Sequence, residues 1–232
     1  FPPVWIPSRP TMANIVKIWE DLDFALYFRN SVFLSVTPTA IILFTSLLVG
    51  YVLAKMEFRG RETIFVGILA TMMIPYPVTL IPRYQMMNWF GWIDSYWALI
   101  VPGCYSSFGI FLVRQFMHSI PDELLDAGRI DGASELRIFF QLVLPLTTPV
   151  VAALGIFQFM WSWNSFLWPL LVLNTDSKFP LPVALATFVS QYITNYASLM
   201  AGAAISVFPI LIVFLVLQKY FVAGIALPGR KG

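Results

Sequence analysis

The sequence predicts an all-α fold, a polytopic transmembrane helical bundle, on three observations. The first is composition. The chain is 59% hydrophobic and 11% charged, with a mean hydropathy of +0.78, whereas soluble domains carry about 25% charged residues. So few charges cannot cover the surface of a soluble domain of 232 residues. The second is that the apolar residues gather into runs near or above the roughly 20 residues that cross a bilayer core as helix. The third is that these runs do not alternate and are too long for the strands of a membrane barrel.

Taken in order, the expected spans are residues 30–54, 63–82, 95–113, 145–171 and a last one within 197–220. Residues 1–232 read as one transmembrane domain. Residues 1–29 form its proline-rich external N-terminal segment, 119–144 a cytoplasmic loop, 172–196 an external loop and 221–232 a cytoplasmic tail. Orientation follows from the basic residues. Lys55, Arg59, Arg61, Arg114, Arg129, Arg137, Lys219, Arg230 and Lys231 outnumber Arg9, Lys17, Arg29, Arg83 and Lys178 on the opposite side. The first set is expected to be cytoplasmic, which puts Phe1 outside and predicts a further span ahead of it. In "MMIPYPVTLIP" three prolines crowd the second span and favour an irregular segment there.

What the oily core lacks narrows the function. Apart from Lys219 at the very end of the last stretch, the five spans hold no Asp, Glu, Lys, Arg or His, and ion-coupled transporters and proton pumps usually need such groups. A single histidine, His118, and a single cysteine, Cys104, cannot build a metal site or a hydrolase triad. There is no phosphate-binding G-x-x-x-x-G-K-[ST] loop. The chain therefore reads as a pathway without its own chemistry or energy source, and any energy has to arrive through a partner on its surface.

The polar stretch "DELLDAGRIDGASELRIFFQLVLPL" is where such a partner would dock. Ser119 followed by Asp122 reads as a capping box, and Pro121 suits the first turn of a helix over "DELLDAGRI". Ala127 and Gly128 lack bulk and would let another surface approach. Gly132 stands where a helix stops and turns, and "SELRIFFQLVLP" restarts as a second helix leading into the membrane. The competing reading is a solvated interhelical loop.

Asp126-Ala127-Gly128, three residues, Gly132, nine residues and then Leu142-Val143-Leu144-Pro145 resemble the E-A-A-x3-G-x9-I-x-L-P signature. That signature belongs to membrane subunits of binding-protein-dependent ABC importers. "IPDELLDAGRIDGASELRIFFQLVLPL", "FPPVWIPSRPT", "ATMMIPYPVTLIPRY", "WNSFLWPL" and "GIALPGRKG" are similar to the carbohydrate-uptake branch, MalG-like in type, over essentially the whole chain. Asp126 and Gly128 depart from the signature Glu and second Ala, keeping charge and small size. The resemblance implies a complex of two six-helix permeases, two cytoplasmic ATPases that bind ATP and Mg, and an external solute-binding protein, in a bacterial or archaeal plasma membrane. This chain would hold no cofactor of its own and would not be an enzyme. Residues 119–144 would be the coupling helix, with Glu123, Asp126, Ala127, Gly128, Asp131, Gly132, Leu144 and Pro145 at the ATPase.

For the solute, "FQFMWSWNSFLWPL" places Trp161, Asn164 and Trp168 on one face at helical spacing, with Gln158 and Ser165 beside it. Indole faces suit a sugar ring and amides suit its hydroxyls. The alternative is an interfacial aromatic belt with amides joining helices. Tyr192, Asn195 and Tyr196 in the external loop suit contact with the binding protein. The expected function is thus the pathway subunit of an ATP-driven importer for a sugar or oligosaccharide. Another polar solute such as a polyol or glycerol phosphate is the runner-up, and a passive channel comes after it.

Overall fold

The computed structural model describes residues 11–21, 23–191 and 196–226, with side chains described at 11–20, 23–187 and 196–220. Every regular element among them is helical. The longest is α2 (Phe24–Lys55), whose first turn Asp23 caps by accepting from the Leu26 N–H. At 1.5 Å per residue its 32 residues reach about 48 Å, well beyond a hydrocarbon core of about 30 Å. The helix thus begins six residues before the expected start and links the two ends of the molecule. Ahead of it α1 (Ala13–Asp21) packs on α13 (Tyr196–Ala226), with Ile18 fully buried.

Proline accounts for the largest departures from straight spans. The second span is a broken pair, α3 (Arg61–Met72) and α4 (Tyr76–Trp89), bent by 98°. Pro75 and Pro77 bring no N–H to the junction, so an uninterrupted helix would lose two backbone bonds there. The third is α5 (Trp97–Ile100), a 3₁₀ turn over Val101–Gly103, and α6 (Ser107–Met117). Ser106 restarts it, its hydroxyl accepting from Gly109 N–H at 3.0 Å. α6 runs past the expected end and carries Arg114, 7% exposed, in its last turn.

The expected fourth span over 145–171 divides at both ends. α10 (Thr148–Trp163) is its longest helix, and α11 (Leu167–Val172) follows after a break. A continuous helix would set the Pro169 ring against the Ser165 carbonyl four residues back, and the chain opens there instead. Before α10, α8 (Glu135–Ile138), a π turn over Phe139–Val143 and α9 (Leu144–Leu146) lie at 75° to it. Pro145 cannot donate to Gln141, and the Leu144 N–H reaches the Phe139 carbonyl five residues back.

The core sits where α2 crosses α6 and α10, and α10 packs on α13. Small residues allow the α2–α6 crossing. A Cβ on Gly50 would lie 2.5 Å from Val113 Cγ1, and one on Gly109 would lie 2.5 Å from Ser46 Oγ. Residues 172–196 are not simply a loop. Leu181, Val183 and Ala184 of α12 (Leu181–Gln191) are buried, and the helix packs on α2 and α13.

Candidate functional site

Two ends of the molecule are defined by α2. At its N-terminal end Asn30 Nδ2 donates to the carbonyls of Ser177 and Phe179 at 2.9 and 3.0 Å. Beside them Asp94, at φ +59°, gathers the same loop. Its carboxylate accepts from the N–H groups of Asn174 and Thr175, the Thr175 hydroxyl and Lys178 Nζ, all within 2.9 Å. The Lys178 hydrogen bond, then the Thr175 hydroxyl and the two amides, hold the Asp94 carboxyl well below the usual carboxylate range. Loops 90–96 and 173–180 are thereby one unit.

At the other end α7 (Asp122–Ile130) forms a knob with α8. Ser119 does not cap it: its hydroxyl bonds the Phe116 carbonyl, and Pro121 occupies the cap position. Gly132 takes φ +77°, a conformation that glycine adopts without strain, and the Ser134 hydroxyl accepts from Arg137 N–H to open α8. Gly128 is buried rather than offered to a partner. A Cβ there would lie 3.0 Å from Leu142 Cδ1 and 3.2 Å from Ile138 Cγ1, so its smallness lets α7 lie close against the arm that follows.

Charge ties the knob to α2. Asp126 accepts from Arg129 Nη1 at 2.7 Å, Arg129 Nε donates to Glu135 at 2.7 Å, and the other Glu135 oxygen accepts from the Tyr51 hydroxyl at 2.9 Å. Lys55 Nζ donates to Asp122 and to the Ile120 carbonyl, both at 2.6 Å. That hydrogen bond and the lysine's charge lower the Asp122 pKa. Asp126 is thus paired within its own chain yet exposed, as are Glu123, Ala127, Asp131, Gly132 and Pro145, and Leu144 is half-buried. Sequence reasoning missed the apolar tip: Ile130 is 85% and Leu136 66% exposed, with Leu124 and Phe140 also bare. Their recurrence through the charged stretch was the available signal.

Between the ends lies a cavity of about 650 Å³ walled by α2, α4, α6, α10 and α11. Gln158, Trp161, Ser165 and Trp168 all line it, and an adjoining hollow holds Asn164 with Trp161, Ser165 and Trp168. They meet because the chain breaks after Trp163, not because they share one helical face. Their roles differ. Trp161 is 74% exposed, but Trp168 is 6% exposed and spends its N–H on the Ala98 carbonyl at 2.9 Å. Asn164 uses its amide N–H on the Met160 carbonyl at 2.8 Å. Ser162, Tyr76, Tyr105, Ser107 and Arg83 also line the cavity and escaped the sequence reading. Arg83 was placed in an external loop, whereas it lies inside α4, and the lone cation following the proline cluster was the signal. Tyr196 is exposed at the start of α13, while Tyr192 and Asn195 lie outside the described residues.

The profile of the family "binding-protein-dependent transport system inner membrane component" matches residues 46–227. The arabinooligosaccharides transport system permease protein AraQ of Halalkalibacterium halodurans is 39% identical over 230 residues, 99% of this chain and 82% of that protein. The lactose transport system permease protein LacG of Rhizobium radiobacter is 34% identical over 91% of this chain and 77% of its own length. The sn-glycerol-3-phosphate permease protein UgpE of Pectobacterium atrosepticum is 32% identical over 97% and 83%. Among solved structures, a chain of a bacterial ABC transporter involved in the import of the acidic polysaccharide alginate superposes with a TM-score of 0.83. It is 26% identical, over 93% of this chain and 81% of that one.

Proposed function

This chain belongs to the family of binding-protein-dependent transport system inner membrane components, and on that premise we propose that it forms a translocation pathway for a sugar or oligosaccharide. We propose further that its knob, residues 119–144, docks on a cytoplasmic ATPase, with the N-terminal end of α2 facing outward. A companion permease and an external binding protein complete the working assembly.

The observation that carries this reading is the path of α2. Leu34, Pro38 and Ile42 wall the cavity, and Tyr51 and Lys55 of the same helix grip the knob. Ile42 and Lys55 are about 20 Å apart along one helix. A rigid helix that is clamped at the knob and lines the cavity moves both together, which is what coupling of hydrolysis to access requires. The cavity's chemistry supports a sugar: bare indole at Trp161, with Gln158, Ser162 and Ser165 for hydroxyls. The exposed Ile130, Leu136 and Phe140 supply the apolar centre that a docking surface needs.

The test is reconstitution of the whole complex in proteoliposomes with its ATPase subunits and binding protein. Labelled arabinotriose, lactose, sn-glycerol-3-phosphate and a short uronate oligosaccharide are offered in turn. At least one should accumulate against its gradient with ATP and not without it. Uptake that continues without ATP would replace this reading with a passive channel.

A further inference from the structure

We propose that Arg83 is an anion-recognition residue in the cavity, so that the transported sugar carries a carboxylate or phosphate. This rests on the reading of the cavity as the solute pathway and deepens it. Arg83 is half-buried in α4 and lines the same cavity as Trp161, Gln158 and Ser165. Its guanidinium carbon lies 5.3 Å from the centre of the Tyr76 ring and 5.4 Å from that of Trp168. Those two ring faces orient the cation without neutralising it.

The other basic groups at comparable depth are matched. Arg114 has Glu62, Lys55 has Asp122, Arg129 has Asp126 and Glu135, and Lys178 has Asp94. Arg83 makes no ion pair among the described residues, and those acids are already engaged elsewhere. A full charge inside a membrane protein is costly unless something pairs with it, and such groups mark solute pathways. The Tyr76 side chain takes one hydrogen bond from the guanidinium, and the remaining N–H donors of a planar group with five of them fit a carboxylate or a phosphate in two-point fashion. The sugar ring then lies on Trp161, with Gln158, Ser162 and Ser165 within the same walls to meet hydroxyls.

The experiment uses the assembled complex in nanodiscs and reads quenching of tryptophan fluorescence. Three probes are titrated: a neutral galactobiose, the corresponding digalacturonate, and lactose phosphate. Wild type should bind one of the anionic probes at least about tenfold more tightly than the neutral one, a difference of about 1.4 kcal/mol. Preference for the uronate or for the phosphate identifies the source of the charge. Arg83→Gln should bring the ratio of anionic to neutral affinity to about one, and Arg83→Lys, which keeps the charge but loses the planar two-point fork, should keep only part of it. The ratio is read on protein that elutes as an assembled complex. Arg83→Lys, which retains the charge, serves alone if Arg83→Gln does not assemble, and its ratio must then fall sharply above about pH 10. Equal affinity for neutral and anionic probes in wild type overturns the proposal, as does a ratio that survives Arg83→Gln or, in the lysine variant, high pH. ATP-dependent uptake of a neutral sugar under those outcomes leaves the importer reading standing; loss of ATP-dependent uptake for every probe removes both.

Discussion

Glu135→Ala should loosen the knob from α2, and the structure sets how much. The carboxylate holds two partners of different environments. Arg129 and Glu135 side chains are 39% and 42% exposed, so their ion pair is worth about 0.2–1 kcal/mol. Tyr51 is 2% exposed and its ring is tilted against that of Phe139 at 5.3 Å, so its hydroxyl has no ready water in place of Glu135. Leaving it unpaired costs about 1–3 kcal/mol. Glu135→Ala should therefore cost about 2 kcal/mol, mostly through the tyrosine. Glu135→Gln keeps a carbonyl oxygen for that hydroxyl and should cost under about 1 kcal/mol. Tyr51→Phe leaves a carboxylate that water still reaches, and should cost about 1 kcal/mol. Combining Tyr51→Phe with Glu135→Ala should cost less than the sum of the two, by about 1 kcal/mol. Thermal unfolding of the purified complex measures the cycle, and solute moved per ATP hydrolysed measures the consequence. That ratio should fall in the order Glu135→Gln, Tyr51→Phe, Glu135→Ala. Strict additivity, or Glu135→Gln as damaging as Glu135→Ala, would refute the reasoning.

The two glycines of the knob should rank by their surroundings. Gly128→Val must push Leu142 and Ile138 aside, costing about 1–3 kcal/mol, whereas Gly132→Ala meets open space and bears only backbone strain of about 1 kcal/mol; the reverse order of melting temperatures would sink this account. Asp94→Asn should lower stability at neutral pH. Because folding depresses the Asp94 pKa, its contribution is complete above the unfolded carboxylate value of about 4 and fades as pH falls further toward the folded value. The wild-type advantage in melting temperature should thus be constant above about pH 5 and shrink below about pH 4; an advantage unchanged down to pH 3 counts against the clamp. Trp161→Ala should leave the melting temperature alone and cut uptake several-fold, while Trp168→Ala should destabilise by about 3–5 kcal/mol through lost packing and its bond to Ala98. Equal melting curves for both, or full uptake in Trp161→Ala, would contradict those separate roles.

The sequence by itself determined the class, the approximate location of the membrane runs, the irregular second span and the turn at Gly132. These depend on local properties: apolar content over about 20 residues, missing proline N–H groups and a backbone position suited to glycine. The same locality explains what it could not settle. Gly128 looked like a site for a partner because nothing nearby in sequence shows that Ile138 and Leu142 come back over it. Asp126 looked like a charge for a partner, yet it pairs with Arg129, whose other acid, Glu135, is bonded to Tyr51 84 residues away. Trp161 and Trp168 looked equivalent at helical spacing, until the break after Trp163 left one bare and bonded the other to Ala98. Arg83 looked like a loop cation until the bent pair α3–α4 carried it to the cavity wall. Spans are written in composition, which any window of the chain displays. Which side chains meet depends on helix crossings and bends, which arise from contacts between residues far apart in the sequence.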